Sequence, residues 1–216
     1  MADDASRAGD RYASADILNW CADTHAPHDA GLAQAFDAKG AGLPPIQVGP
    51  SEGKSLGLLV KMCGARKIVE VGTLAGYSAV WMARALPADG HLWSFEFDAK
   101  HAAVARKNLN AAGIGDRVTV VEGAALDTMA SIESEGPFDV VFVDADKKNY
   151  PHYGAWAAKH LRPGGLLIGD NAFLFGRLLE DSDEAKAMRA FHEEARAHFD
   201  TVCLPTPDGL VLAIKK

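Results

Sequence analysis

Residues 67–96 read KIVEVGTLAGYSAVWMARALPADGHLWSFE, and the order of patterns within them decides the fold. Lys67 to Val71 is a short run rich in β-branched residues. A glycine-containing turn follows, then a segment with helical spacing (Tyr77, Val80, Trp81, Arg84), then a second apolar run that ends in an acid. Strand, turn, helix and strand in that order make a βαβ unit, half of a nucleotide-binding fold. Such folds place a carboxylate at the end of the second strand, about 20 positions past the turn, to accept hydrogen bonds from ribose hydroxyls. Glu96 holds that place.

The glycine spacing narrows the cofactor. A dinucleotide fingerprint begun at Gly72 needs glycines at 74 and 77, where the backbone comes close to a pyrophosphate; this chain has Leu74 and Tyr77. It has Gly72 and Gly76 instead, with Glu70 before the turn and Ser78 after it. An acid at the strand end attracts a cation and repels a diphosphate, so the pocket suits an adenosine compound without phosphates. S-adenosylmethionine, with its sulfonium and amino acid ends, fits. A lone glycine would be read as a turn with no ligand, but Glu70, Gly72, Gly76, Ser78 and Glu96 together outweigh that reading.

At 216 residues the chain is long enough for one sizeable α/β domain and too short for two ordinary ones with a linker. The whole of 1–216 is expected as that domain, with 65–216 as the core and 1–64 as helices and a loop that cover the substrate side or a dimer surface. A formal net charge of −7, with no dense Lys/Arg stripe, argues against gripping nucleic acid and favours a small-molecule substrate. Cys21, Cys63 and Cys203 are scattered, without a CxxC pair, and point to neither a disulfide framework nor a zinc site. The eight histidines show no metal-ligand spacing. The acidic, polar start lacks the basic-then-apolar order of a signal peptide. No apolar run approaches the ~18 residues that a membrane span needs. A cytoplasmic protein away from membranes is expected.

The first fifteen or so residues read as a frayed start. Helices are expected over about 14–23 and 29–39, separated by Ala26-Pro27, then a Gly/Pro loop over 40–50 and a helix capped by Ser51 and ended by Gly64. After Glu96 the alternation continues: helix 99–112, strand 117–122, helix 126–134, strand 138–143, helix 149–161, a turn at 162–165, strand 166–169, an irregular stretch and helix 183–199. Two strands near 201–204 and 210–214 close the chain; with no helix between them they form an antiparallel hairpin. The fold class is therefore α/β and Rossmann-like: a seven-stranded, mostly parallel sheet with an antiparallel C-terminal strand and helices on both faces.

A second constellation lies further on. The run FDVVFVDADKKNY, residues 138–150, is an apolar strand whose carboxyl edge carries Asp144, Asp146, Lys147 and Lys148, and the next strand, GLLIGDN, ends in Asp170 and Asn171. Parallel sheets bind ligands outside the carboxyl ends of their strands. Asp144, Asp170 and Asn171 are hard oxygen donors, the set that Mg²⁺ prefers, with Mn²⁺ or Ca²⁺ as substitutes. Any one of them alone would be read as a turn former or helix cap, which fits Asp146. Three donors beside a cofactor pocket tip the reading to a metal. Lys147 lies three positions past Asp144, close enough to reach a substrate oxygen, and a partly desolvated lysine beside a cation is a plausible general base. A solvated position suits Lys148 better.

VEVGTLAGYSA, FVDADKKNY, RPGGLLIGDN and PDGLVLAIKK, in this order and spacing, resemble the cation-dependent class I O-methyltransferases that use S-adenosylmethionine, the family of catechol O-methyltransferase and the caffeoyl-CoA O-methyltransferases. The resemblance runs from about Pro44 to the C-terminus. It implies a single methyltransferase domain, a homodimer, and a catechol-type (vicinal diphenol) acceptor whose phenol a divalent ion acidifies. Carried over by motif, it implies that Glu70 and Ser78 bind the methionine end, that Gly72 and Thr73 line the turn, and that Glu96 holds the ribose. Ala124 would meet the adenine through its backbone and Val48 the cofactor carboxylate through its amide. Asp144 would serve both cofactor and metal, Asp170 and Asn171 would complete the metal ligands, and Lys147 would be the base. Two departures stand out. Leu174 occupies a place where the family commonly has tryptophan, and 176–185 is short; both lie where family members shape the substrate wall.

Other classes fit less well. A metal-dependent glycosyltransferase would use Asp144-x-Asp146 but needs diphosphate affinity, which Glu70 and the missing middle glycine oppose. A nicotinamide oxidoreductase fails on the same spacing. A binding module that holds S-adenosylmethionine without catechol activity would need neither the metal set nor Lys147.

Overall fold

The computed structural model describes residues 13–216, so most of the frayed start expected from the sequence lies outside the described residues. Helix α1 (Ala15–His25) is capped by the Ser14 hydroxyl and α2 (Ala30–Phe36) by the Asp29 carboxylate, each accepting from a backbone N–H of the first turn, as short polar residues do. The Gly/Pro stretch is a loop up to Gly49. Helix α3 (Pro50–Met62) then starts two residues earlier than a Ser51 cap would give. Pro50 sits at its first position, where a missing N–H costs nothing, and Glu52 reaches back to accept from Gly49 N at 2.8 Å.

The core follows as β1 (Lys67–Val71), α4 (Tyr77–Ala85), β2 (His91–Glu96), α5 (Ala99–Ala111), β3 (Val118–Glu122), α6 (Ala125–Thr128), β4 (Phe138–Val143), α7 (Tyr150–His160), β5 (Leu161–Gly169), α8 (Asp183–His198), β6 (Phe199–Leu204) and β7 (Leu210–Lys215). Seven strands form one sheet in the order β3-β2-β1-β4-β5-β7-β6. All pairs are parallel except those of β7, which lies between β5 and β6 and runs antiparallel to both. The expected antiparallel final strand is thus present, one place in from the edge. Strand order reverses at β1, flanked by β2 and β4, and a crevice opens at such a switch point.

Side chains alternate across the sheet with period two. Ile68, Val140, Phe142, Leu166 and Ile168 face one apolar layer with α3, α4 and α5. Val69, Val71, Val141, Val143 and Leu167 face the other, with α7 and α8. Burial on both faces explains why these strands read as continuous apolar runs. At the far edge Asp139 ties three strands together: it accepts from Arg66 N and Lys67 N, both at 2.8 Å, and from Arg162 Nε at 2.6 Å.

Two further elements differ from the sequence reading. The helix expected over 126–134 is α6 followed by a 3₁₀ segment, Met129–Glu135. The Thr128 hydroxyl bonds back to Ala124 O and the Ser131 hydroxyl to Thr128 O, local bonds that compete with a regular helix. Strand β5 begins at Leu161, paired with Phe138, and shifts register before Leu166, because Pro163 has no N–H to give to a ladder.

Candidate active site

Strand β1 ends in a turn that is built around Glu96. The Glu96 carboxylate accepts from Thr73 N at 3.2 Å and Leu74 N at 2.7 Å through Oε2, and from Asp98 N at 3.0 Å through Oε1. In a dinucleotide fold the amides of such a turn face a diphosphate; here a carboxylate of the chain itself holds them. Gly72, at φ +101°, is required by a neighbouring strand, since a Cβ there would lie 1.9 Å from the Asp144 carbonyl oxygen.

Glu70 points into the buried layer and is fully buried. Its carboxyl accepts from the hydroxyls of Ser78 and Ser94, and Ser94 also bonds the Thr73 hydroxyl. Burial pushes Glu70 up to about 7, against those two hydrogen bonds and with the charges of Asp144 and Glu96 adding to the rise.

A cavity of about 920 Å³ lies at the switch point, on the carboxyl side of the strands. Of the residues singled out by sequence, Val48, Gly72, Thr73, Ser78, Glu96, Ala124, Asp144, Lys147 and Asn171 line it. Glu70 and Asp170 do not; both are buried, and Glu70 reaches the lining through Ser78 and, by way of Ser94, through Thr73. At one end Lys147 Nζ lies 3.2 Å from Asp144 Oδ1, 2.6 Å from Asn171 Oδ1 and 2.9 Å from the Tyr150 hydroxyl. Asn171 turns its amide inward from the left-handed region, φ +54°, which asparagine tolerates better than most residues. The Tyr150 hydroxyl donates to Asp170 O at 2.9 Å. Burial, with Asp144 and Asp170 nearby, holds that phenol well above its usual range, so it stays a neutral spacer between Lys147 and β5.

Asp170 is pushed up to about 7, first by burial and then by the Asp144 charge. Asp170 has no cation in contact among the described residues, while Lys147 Nζ lies between its neighbour Asp144 and Asn171. That donor set, all oxygen, fits a divalent cation. The other end fits an adenosine compound without phosphates: its turn amides are taken by Glu96, and its walls include Phe97, Ala125 and Leu126. Asp146 accepts from Asn149 Nδ2 at 2.6 Å and from the Tyr153 hydroxyl at 2.7 Å; it braces this edge through side chains and caps no backbone N–H. Lys148 is exposed.

The sequence reading missed Ser94, Tyr150, Phe97 and Phe175. Ser94 lies two residues before Glu96 and pairs in register with Glu70, so strand period could have found it. Tyr150 is three positions past Lys147, on a helical start. For Phe97 and Phe175 the sequence holds no signal, because an aromatic after a strand reads equally well as core.

A family model described as O-methyltransferase matches residues 30–216. The chain is 42% identical over 200 residues to a catechol O-methyltransferase of Niastella koreensis, covering 87% of this chain and 90% of that one. It is 45% identical over 163 residues to a catechol O-methyltransferase of Mycobacterium tuberculosis, covering 75% and 74%. Among solved structures, an O-methyltransferase from Bacillus cereus in complex with SAH superposes with a TM-score of 0.89 at 38% identity, over 93% of this chain and 97% of that one.

Proposed function

The chain belongs to the O-methyltransferase family, an enzyme that draws its methyl group from S-adenosylmethionine, and from that premise we propose that its acceptor is a small vicinal diphenol, activated with a divalent ion. The observation that carries this reading is the convergence of Asp144 Oδ1 and Asn171 Oδ1 on Lys147 Nζ at one end of the cavity. Bound Mg²⁺, held by Asp144, Asp170 and Asn171, would act as a Lewis acid that makes a phenolic hydroxyl easier to deprotonate. S-adenosylmethionine carries its methyl on a sulfonium, already a good leaving group.

The chain's own residues then have to hold and orient. Glu96 and the turn it organises receive the ribose, and Ala124 and Val48 offer backbone groups to the adenine and the methionine carboxylate. Ser78, backed by Glu70, receives the amino acid end. Lys147, in its amine form, takes the phenolic proton, and Tyr150 keeps its nitrogen aimed at the strand ends. Since the sulfonium leaves readily, most of the rate enhancement falls to positioning.

We place the whole chain in one domain, with the loop before α3 closing the cavity through Ile46, Gln47 and Val48. We also infer a homodimer; α1 exposes Ile17, Leu18 and Trp20 and buries none of its side chains, so it has apolar surface to offer a second copy. No helix among the described residues is long and apolar enough to cross a membrane.

The test is methyl transfer to caffeic acid after treatment with a chelator, with and without added Mg²⁺, for the wild type and for Asp144→Ala. Turnover that returns only with the metal and is lost in the variant supports the reading. Full turnover in excess chelator would remove the metal from it.

A further inference from the structure

The sequence directs attention to Leu174 as the residue that shapes the acceptor wall, but Leu174 is fully buried in the layer that contains Phe191 of α8. Its neighbour Phe175 lines the cavity and is 61% exposed. Both residues are in the left-handed region, Leu174 at φ +51° and Phe175 at φ +54°, where a non-glycine side chain is strained unless its surroundings hold it. The surroundings do so. Ala172 N donates to Gly209 O at 3.0 Å and Phe173 N to Asp208 O at 2.8 Å, fastening the segment to the turn between β6 and β7. Phe175 N donates to Asp208 Oδ1 at 2.7 Å. That is the one polar contact of the Asp208 carboxylate among the described residues, and its Oδ2 is buried without a partner.

We propose that Phe175 is the specificity-determining wall for a planar aromatic acceptor, and that Asp208 is the positioning residue that fixes its backbone. The inference rests on the diphenol reading above. Two consecutive left-handed residues turn the chain so that Leu174 goes inward and the Phe175 ring comes out at the cavity, four residues past Asn171, whose amide meets Lys147. An aromatic face left uncovered by the chain's own side chains, in the cavity that also holds the candidate base, is complementary to an acceptor ring packed offset or edge-on.

The test compares Phe175→Ala, Phe175→Tyr, Asp208→Ala and Asp208→Asn. Caffeic acid methylation gives kcat and KM, visible absorbance follows 4-nitrocatechol binding, and titration calorimetry measures S-adenosylhomocysteine. Phe175→Ala should raise the KM for caffeic acid and weaken 4-nitrocatechol about tenfold, the scale of one lost aromatic contact. Its kcat and S-adenosylhomocysteine affinity should stay within about twofold, and Phe175→Tyr should match the wild type. Asp208→Ala should raise KM without lowering kcat, and Asp208→Asn, which keeps an oxygen for Phe175 N, should restore it. An unchanged KM in Phe175→Ala, or an equal loss of S-adenosylhomocysteine affinity, overturns the assignment of Phe175. Asp208→Asn as impaired as Asp208→Ala overturns the positioning role. A wild type that binds S-adenosylhomocysteine but neither methylates caffeic acid nor binds 4-nitrocatechol overturns the diphenol reading itself.

Discussion

Replacing Glu70 with glutamine should change the pH dependence of stability more than its size. Glu70 sits on the central strand, fully buried, and no cation pairs with it among the described residues. Its ordinary value is 4.5, and burial lifts it in the folded protein to about 7. The folded state therefore binds more protons than the unfolded one between those two values. Glu70 contributes its full stability below pH 4.5, and the contribution drains away as pH rises through about 7. At about 1.4 kcal/mol per pH unit, the gap between 4.5 and about 7 is worth roughly 3 kcal/mol by pH 8. That is a large part of the ~5–15 kcal/mol that holds a domain folded.

Glutamine keeps an oxygen for one serine and carries no charge, so Glu70→Gln should lack this decline. Urea unfolding followed by circular dichroism at pH 5, 6, 7 and 8 would measure it. The variant should be equal to or below the wild type at pH 5 and should gain on it by up to roughly 3 kcal/mol by pH 8, with most of the change between pH 5 and 7. Other groups titrate in both proteins, so the difference curve is the readout. Curves that run parallel from pH 5 to pH 8 would refute the reasoning: they would mean that the hydroxyls of Ser78 and Ser94 keep Glu70 ionised throughout. If Glu70 backs Ser78 at the cofactor end as proposed, Glu70→Gln should also weaken S-adenosylmethionine while leaving the acceptor KM nearly unchanged.

Gly72→Ala would put a methyl 1.9 Å from the Asp144 carbonyl at φ +101°; a loss of roughly 2–5 kcal/mol is expected, with cofactor affinity falling as the turn shifts, and a melting temperature equal to the wild type's would show that the strand ends can part freely. At Asp139, burial pushes the carboxyl up but the Arg162 hydrogen bond and the amides of Arg66 and Lys67 outweigh it, so its value lies below 3.8. Its contribution is thus present above pH 3.8 and lost only as pH falls below it, and Asp139→Ala should cost about 2–4 kcal/mol at neutral pH, read as a drop of roughly 5–15 °C in Tm. Glu96→Ala removes the acceptor of three backbone amides and should lower S-adenosylhomocysteine affinity at least about tenfold by calorimetry, while Glu96→Gln, which keeps one oxygen for the Thr73 and Leu74 amides, should lose less.

The parallel core was legible because each strand carries its own signal. Lys67–Val71 and Phe138–Val143 were placed to the residue, since strands buried on both faces leave uninterrupted apolar runs bounded by turns. The helix expected at 126–134 failed where Thr128 and Ser131 found local partners that no periodicity reveals. Most of the candidate site could also be read, because residues at strand ends converge whatever the loops do: Gly72, Glu96, Asp144 and Asn171 come from four different strands and meet at one cavity. The inward turn of Glu70 was hidden, since its hydrogen bonds go to serines 8 and 24 positions away. Phe175 was hidden for a different reason. Which of Leu174 and Phe175 faces the cavity depends on two left-handed dihedrals fixed by Asp208, from a turn more than 30 residues further along.

The way the four acids at this edge are held makes the cavity unfavourable to a diphosphate and suited to a cationic cofactor. Glu96 is satisfied by backbone amides that would otherwise greet an anion, and Glu70 by hydroxyls that leave its charge uncompensated. Asp144 has the Lys147 ammonium at 3.2 Å, while Asp170 is pushed toward neutrality beside it. A diphosphate would find its amides taken and like charges around it. A sulfonium with an ammonium group, together with a divalent ion at the Asn171 end, would find an electrostatic deficit of the right sign at both ends of one cavity. Lys147 already lies between Asp144 and Asn171, hydrogen-bonded to both, so an acceptor oxygen brought to those strand ends would meet its amino group.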